Sequence, residues 1–159
     1  MTNLPDLGPR GEGWVILQFG LLALVALSGV VTAAAWGGAL ATITALLGLV
    51  LMVAGAAFLG RGLLDLGRNL TPVPRPREDA ELVETGVYSL VRHPMYGALI
   101  ATAVGWGLVA ASPLTLVLAG ALALFFDFKA RREEAWLRER YADYDGYMGR
   151  TRRLIPWLY

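Results

Sequence analysis

The sequence predicts an all-α fold: a polytopic membrane helical bundle of four transmembrane helices, arranged as two hairpins, plus a cytoplasmic amphipathic C-terminal helix. Three observations lead there. Hydrophobic residues make up 56% of the 159-residue chain and charged residues only 17%, too apolar for an ordinary soluble domain. Runs without a single charged side chain fill residues 14–36, 39–60, 95–111 and 114–126. All fourteen cations lie outside them, one in the amino-terminal arm, five in residues 61–92 and eight in the carboxyl-terminal tail. With four spans those three segments share one side, and the positive-inside rule makes that side the cytoplasm.

Taken in order, residues 1–13 form a polar arm with two prolines and one cation, Arg10, expected to be partly disordered. Trp14 and Trp36 bracket the first span as interfacial anchors. Its length exceeds the apolar stretch of a secretory leader, about 7–15 residues. Gly37 and Gly38 turn the chain into the second span, which should close a hairpin with the first. Gly48 and Gly55, with Ala45 and Ala56 nearby, would let a neighbouring helix approach closely. The prolines at 72, 74 and 76 then break the helix, and the acids Glu78, Asp79, Glu81 and Glu84 read as a solvated charge run.

The third run has seventeen residues and ends at Ser112-Pro113, where the second hairpin turns into the fourth span. Gly97, Ala101 and Gly105 recur at four-residue spacing, a smooth stripe suited to packing one neighbour. Beyond Phe126 the fourth helix is expected to run on as the amphipathic tail helix, with Trp136, Leu137, Arg140, Tyr141 and Tyr144 on one side. Glu134 has Arg138 one turn later as an ordinary partner, and Glu133 has none. Arg150, Arg152 and Arg153 look like a basic terminus facing anionic lipid.

The chain length fits one domain, residues 1–159, with a first half (1–70) carrying the first hairpin and a second half (71–159) carrying the polar chemistry. There is no cysteine and a single histidine, so no disulfide framework, thiolate nucleophile or multi-histidine metal site is expected. A net charge of +1 leaves no surplus of cations for nucleic acid. No Gly-rich strand-to-helix motif of a soluble cofactor domain occurs. The lone histidine sits in the polar stretch 85–96, where Pro94 suits the first turn of the third helix and holds His93 out of helical geometry. Arg92 and His93 thus stand at a helix N-terminus, among free N–H groups that favour an anion, and are the candidate catalytic residues.

Thr-Gly-Val-Tyr at 85–88, Val-Arg-His-Pro-Met-Tyr at 91–96, Pro113, Arg-Arg-Glu-Glu-Ala-Trp-Leu at 131–137 and Arg-Leu-Ile-Pro at 153–156 resemble, in that order, the isoprenylcysteine carboxyl methyltransferase family and its relatives the phospholipid methyltransferases. The likeness covers about the last 80 residues; Gly97 directly after Tyr96 departs from it, and the amino-terminal half offers no match. The resemblance implies a polytopic methyltransferase that uses S-adenosyl-L-methionine, and the charge placement puts both termini and the active site of such an inner- or plasma-membrane protein in the cytoplasm. Tyr88, His93, Pro94 and Tyr96 would form one wall of the cofactor site and Glu133 and Glu134 the other. The cofactor's chemistry suits such residues: an acid for ribose or ammonium, Arg92 or His93 for a carboxylate, Tyr88 or Tyr96 for adenine or sulfonium. The acceptor would be a lipophilic or prenylated small molecule reached through the bilayer, an isoprenylcysteine-like acid first and a phospholipid second. An NADPH-dependent membrane reductase with a similar Arg-His-x-x-Tyr region and a non-enzymatic membrane scaffold are the alternatives.

Overall fold

The computed structural model describes residues 4–71, 73–76 and 79–159. Pro72, the first proline of the expected break, and Glu78, the first acid of the expected charge run, lie outside the described residues. Among the described residues five α-helices follow one another: α1 (Glu12–Val31), α2 (Gly38–Leu66), α3 (Pro94–Val109), α4 (Pro113–Arg140) and α5 (Tyr144–Arg150). Single 3-10 turns occupy Gly67–Asn69 and Gly86–Ser89. Three helices of the described residues, α1, α2 with its 3-10 extension, and α4, are long and apolar enough to cross a membrane, while α3 is apolar but has 16 residues. At 1.5 Å per residue α3 is about 24 Å long, short of a hydrocarbon core of about 30 Å.

Large apolar side chains point outward on the long helices, among them Ile16, Leu24, Leu27, Leu46, Val50 and Val53. Small residues pack inside. The buried positions of α2 are Gly48, Gly55 and Gly62, spaced by seven residues and therefore on one face. Gly48 lies on Gly105 and Val109, Gly55 on Ala98 and Thr102, and Gly62 on Pro94 and Met95. A methyl group built on Gly48 would stand 2.5 Å from the Gly105 carbonyl oxygen. In lipid, where apolar side chains gain nothing by leaving solvent, this backbone approach is what joins two helices. The stripe on α3 divides between two neighbours: Gly105 meets α2, whereas Gly97 lies under the Leu154 carbonyl of the tail.

The expected first hairpin does not form by packing of its two helices. α1 packs chiefly on α4 and also on α3, giving the lateral order α2, α3, α4, α1. Hydroxyl groups explain the choice. Ser28 shares a 2.9 Å hydrogen bond with Thr115, and Thr32 shares one of 2.6 Å with Ser112, the N-cap of α4. Ser112 and Thr115 are fully buried, and a buried hydroxyl in an apolar bundle must find a protein partner. The loop after α1 adds backbone bonds from Ala34 N to Ala110 O and from Ala35 N to Ala111 O. The uncharged turns thus gather at one end of the bundle and the charged segments at the other.

Two further expectations are corrected. The arm over residues 4–13 is tied down: Trp14 Nε1 donates to Pro5 O, Arg75 donates to Pro9 O and Arg10 O, and Asp6 pairs with Arg132. The amphipathic tail is not one helix. α4 runs unbroken to Arg140, Tyr141 is extended, and α5 folds back with Tyr144 and Tyr147 buried.

Gly55→Leu should cost about 1–3 kcal/mol through overpacking of the α2–α3 seam. Gly60→Leu, whose added side chain meets open space, should leave thermal unfolding in detergent unchanged.

Candidate active site

The site begins where α2 ends. The Asp65 carboxylate accepts a 2.8 Å hydrogen bond from Val87 N and pairs with Arg61 one turn earlier. It lies so close to Gly86 that any side chain there would meet it, and Gly86 has φ +61°, the left-handed region glycine alone enters freely. This contact fixes the 3-10 turn that carries Tyr88. Residues 90–93 then run parallel to the tail: Arg152 N donates to Leu90 O, Arg92 N to Arg152 O and His93 N to Arg153 O. Pro94 starts α3 at its first position and His93 is the residue before it, with φ −126°, as the dipeptide chemistry requires.

Behind this loop lies a buried ionic cluster. Glu134, 2% exposed, accepts from Arg92 Nε at 2.8 Å and from Arg153 Nη2 at 3.0 Å. Arg92 Nη1 donates to the Thr151 carbonyl at 2.7 Å and the Met148 carbonyl at 3.3 Å. Arg153 also reaches Asp127 at 2.9 Å and the Tyr159 hydroxyl at 3.0 Å. The expected pair of Glu134 with Arg138 is absent, because Arg138 binds Asp145 instead. Nor do the terminal arginines all face lipid: Arg150 pairs with Glu84 and Arg153 turns inward. The guanidinium of Arg153 is held above its ordinary value, since the Glu134 and Asp127 carboxylates outweigh its partial burial.

In front of the loop is a cavity of about 520 Å³, within the range of small-molecule sites. Tyr88, Arg92, His93, Pro94, Tyr96 and Glu133 line it, so six of the seven expected site residues meet there. Glu134 does not line it. Glu133 accepts from the Tyr96 hydroxyl and stands 3.3 Å from His93 Nδ1. His93 Nε2 is 3.4 Å from Glu134, but the N–H is out of line and has no hydrogen-bond partner among the described residues. Burial disfavours the imidazolium, yet the two carboxylates outweigh it and hold the His93 pKa above its usual value. The Tyr96 ring stacks with His93, at 5.4 Å, and with Phe126, at 4.5 Å. The Tyr88 hydroxyl is buried with no partner among the described residues, and burial pushes its pKa up.

Sequence reasoning missed Lys129 and Gln18, which meet across the cavity wall at 2.5 Å. It also missed Asp65 and Arg153 as builders of the site. The lone lysine and the lone glutamine of the chain were visible as oddities, but nothing local joins positions 111 apart.

A bundle of apolar helices with ionisable groups enclosed at one end, around a ligand-sized cavity, has the architecture of an integral membrane enzyme. Residues 43–144 match the family model described as phospholipid methyltransferase, and the chain belongs to that family of membrane methyltransferases. It is 31% identical over 116 residues to a probable protein-S-isoprenylcysteine O-methyltransferase of Oryza sativa subsp. indica, covering 70% of this chain and 60% of the rice protein. Against the protein-S-isoprenylcysteine O-methyltransferase of Saccharomyces cerevisiae the identity is again 31% over 116 residues, covering 48% of the yeast protein. The nickel-cobalt-cadmium resistance protein NccN of Alcaligenes xylosoxydans xylosoxydans is 37% identical over 83 residues, 52% of this chain and 39% of that one. The chain thus spans between about two fifths and three fifths of these curated relatives.

Glu134→Gln should cost about 3–5 kcal/mol, because it leaves the buried Arg92 guanidinium without a counter-ion and Arg153 with Asp127 alone. Glu81→Gln, in the exposed pair with Arg68, should leave thermal unfolding within about 0.5 kcal/mol of the parent. His93, with its pKa raised on folding, stabilises the fold fully below about pH 6.5. That contribution is lost as pH rises through the folded-state value. Melting temperatures of the parent should therefore fall from pH 6.5 upward more steeply than those of His93→Gln, measured in the same detergent.

Proposed function

We propose that this chain is an S-adenosyl-L-methionine-dependent methyltransferase acting at the membrane on a lipophilic acceptor, by carboxyl O-methylation of an isoprenylcysteine-like molecule. The observation that carries the reading is the enclosed group of Glu133, Tyr96 and His93 beside the unpartnered Tyr88 hydroxyl, in a cavity of about 520 Å³ and in a chain of this family. These residues fit the cofactor. When bound it supplies a methyl group on a sulfonium, an electrophile needing no activation by the protein. Glu133 offers a carboxylate to the ammonium or ribose, the Tyr88 hydroxyl an open hydrogen-bonding position, and the Tyr88 and Tyr96 rings a surface for adenine or the sulfonium.

The other expected site residues take supporting roles in this reading. Arg92 and Glu134 bind each other and the tail, and so hold the loop bearing His93 rather than the cofactor. His93, with Nδ1 toward Glu133 and its imidazolium favoured, fixes the Glu133 carboxylate. An imidazolium has no lone pair to take a proton, which favours an acceptor already ionised, such as a carboxylate, over an amine or alcohol. Alignment and exclusion of water then supply the catalysis.

An apolar wall supports a lipophilic acceptor. Val15, Phe19 and Leu22 of α1 face the cavity with Leu59, Leu63 and Leu66 of α2, two helices that pack elsewhere. Residues 1–70 would thus hold the acceptor and residues 71–159 the cofactor. With α3 crossing as a short fourth span, the termini, the site and all charged residues lie on the cytoplasmic side.

Calorimetric titration of the detergent-purified chain tests the reading. S-adenosylhomocysteine should bind in the micromolar range and NADPH should not, and Glu133→Gln should weaken the former at least tenfold, about 1.4 kcal/mol. Absence of S-adenosylhomocysteine binding to the parent overturns it.

A further inference from the structure

Lys129 is the only lysine in a chain whose thirteen other cations are arginines, and it is buried, at 4% exposure, near the charged end of α4. Its Nζ donates to Gln18 Oε1 at 2.5 Å and stands 4.9 Å from the centre of the Tyr96 ring. Both contacts are neutral. No carboxylate lies within ion-pair distance of it among the described residues. Glu133, one turn further along α4, acts on it electrostatically but is bound to Tyr96 and His93. An ammonium has three donors, and one is used. The Gln18 amide N–H groups have no partner among the described residues either. A buried cation without a counter-ion is costly, and a membrane-embedded bundle offers it little water.

Both side chains line the cavity, and their surroundings define what fits. Gln18 interrupts an apolar face of α1 between Val15 and Phe19, with Leu22 one turn on, and Leu59 and Leu63 of α2 continue the wall. A compact ammonium and an amide N–H at the head of an apolar trough match a carboxylate on a long hydrocarbon chain. We infer that Lys129 and Gln18 form the carboxylate-binding subsite for an amphiphilic acid, which takes its head group between them and lays its chain along α1 and α2. This assignment rests on the methyltransferase reading in taking that acid as the methyl acceptor, and it makes Lys129 and Gln18 the residues that select acids over alcohols and amines. The carboxylate could instead be that of the cofactor's amino-acid portion, so the test separates the two sources.

Scintillation-proximity binding of tritiated palmitate and tritiated hexadecanol to the detergent-purified full chain compares the same hydrocarbon with and without the charge. Palmitate should bind at least tenfold tighter. Lys129→Met should abolish the preference, Lys129→Arg should keep most of it, and Gln18→Glu should abolish it by giving Lys129 an internal counter-ion. S-adenosylhomocysteine should bind all three variants within twofold of the parent, which also verifies that they fold. Equal binding of palmitate and hexadecanol to the parent, or a preference that survives Lys129→Met, overturns the subsite. A tenfold loss of S-adenosylhomocysteine in Lys129→Met with the palmitate preference unchanged assigns the lysine to the cofactor and overturns it as well. An intact, Lys129-dependent palmitate preference in a protein that binds no S-adenosylhomocysteine supports the acid subsite and overturns the methyltransferase reading alone.

Discussion

The Glu134 carboxylate, enclosed between Arg92 and Arg153, is the contact on which the rest of the charged end depends. It joins three stretches of chain that share no local relation: the loop before α3, the end of α4 and the tail after α5. Around it the backbone is fixed as well, since Arg92 and His93 donate to the carbonyls of Arg152 and Arg153. Desolvating one carboxylate and two guanidinium groups is unfavourable unless partners replace water, and here Thr151, Met148 and Asp127 supply further ones. The cluster therefore stabilises less than its number of bonds implies. Its effect is to define one position for His93 and Tyr96, and so one shape for the cavity wall in front of them.

The helices solve a different problem. With lipid-like side chains all round them, α1 and α2 have no apolar face to hide, and their neighbours are chosen by small and hydroxylated residues. α2 takes α3 through glycine, and α1 takes α4 through serine and threonine. Each helix of the first pair is thereby committed to a partner in the second pair. The trough between them follows from this division, because two chain neighbours that both pack elsewhere leave a side of the bundle to be lined rather than filled.

Local features were legible in the sequence. Uncharged runs of spanning length, the proline that opens α3, the charge gathered at one end and the histidine-bearing stretch all depend on residues near one another. Gly48 and Gly55 were readable as points of close approach, and Gly62 completes their spacing. What was not legible depends on distant partners. The one-turn rule offers Arg138 to Glu134, but the fold brings Arg92 and Arg153 nearer. A basic terminus looks ready for lipid until Glu84 and Asp127 are seen beside it. Periodicity fails for α1 for a related reason: a helix apolar on every side carries no direction, so its partner cannot be read from its pattern. Gln18 and Lys129 acquire meaning only once those helices are in place.

The pairing of residues 90–93 with the tail also sets an order of events. The long apolar helices α1, α2 and α4 can enter the bilayer as they emerge, since each carries its own backbone hydrogen bonds. The mouth cannot take its final form at that stage, because the carbonyls of Arg152 and Arg153 and the guanidinium of Arg153 have not yet been made. A nascent chain thus holds an inserted bundle with an unlatched pocket, and synthesis of the tail closes the latch. The cavity wall thus takes its shape from residues 152–153 meeting residues 90–93, not from helix packing alone.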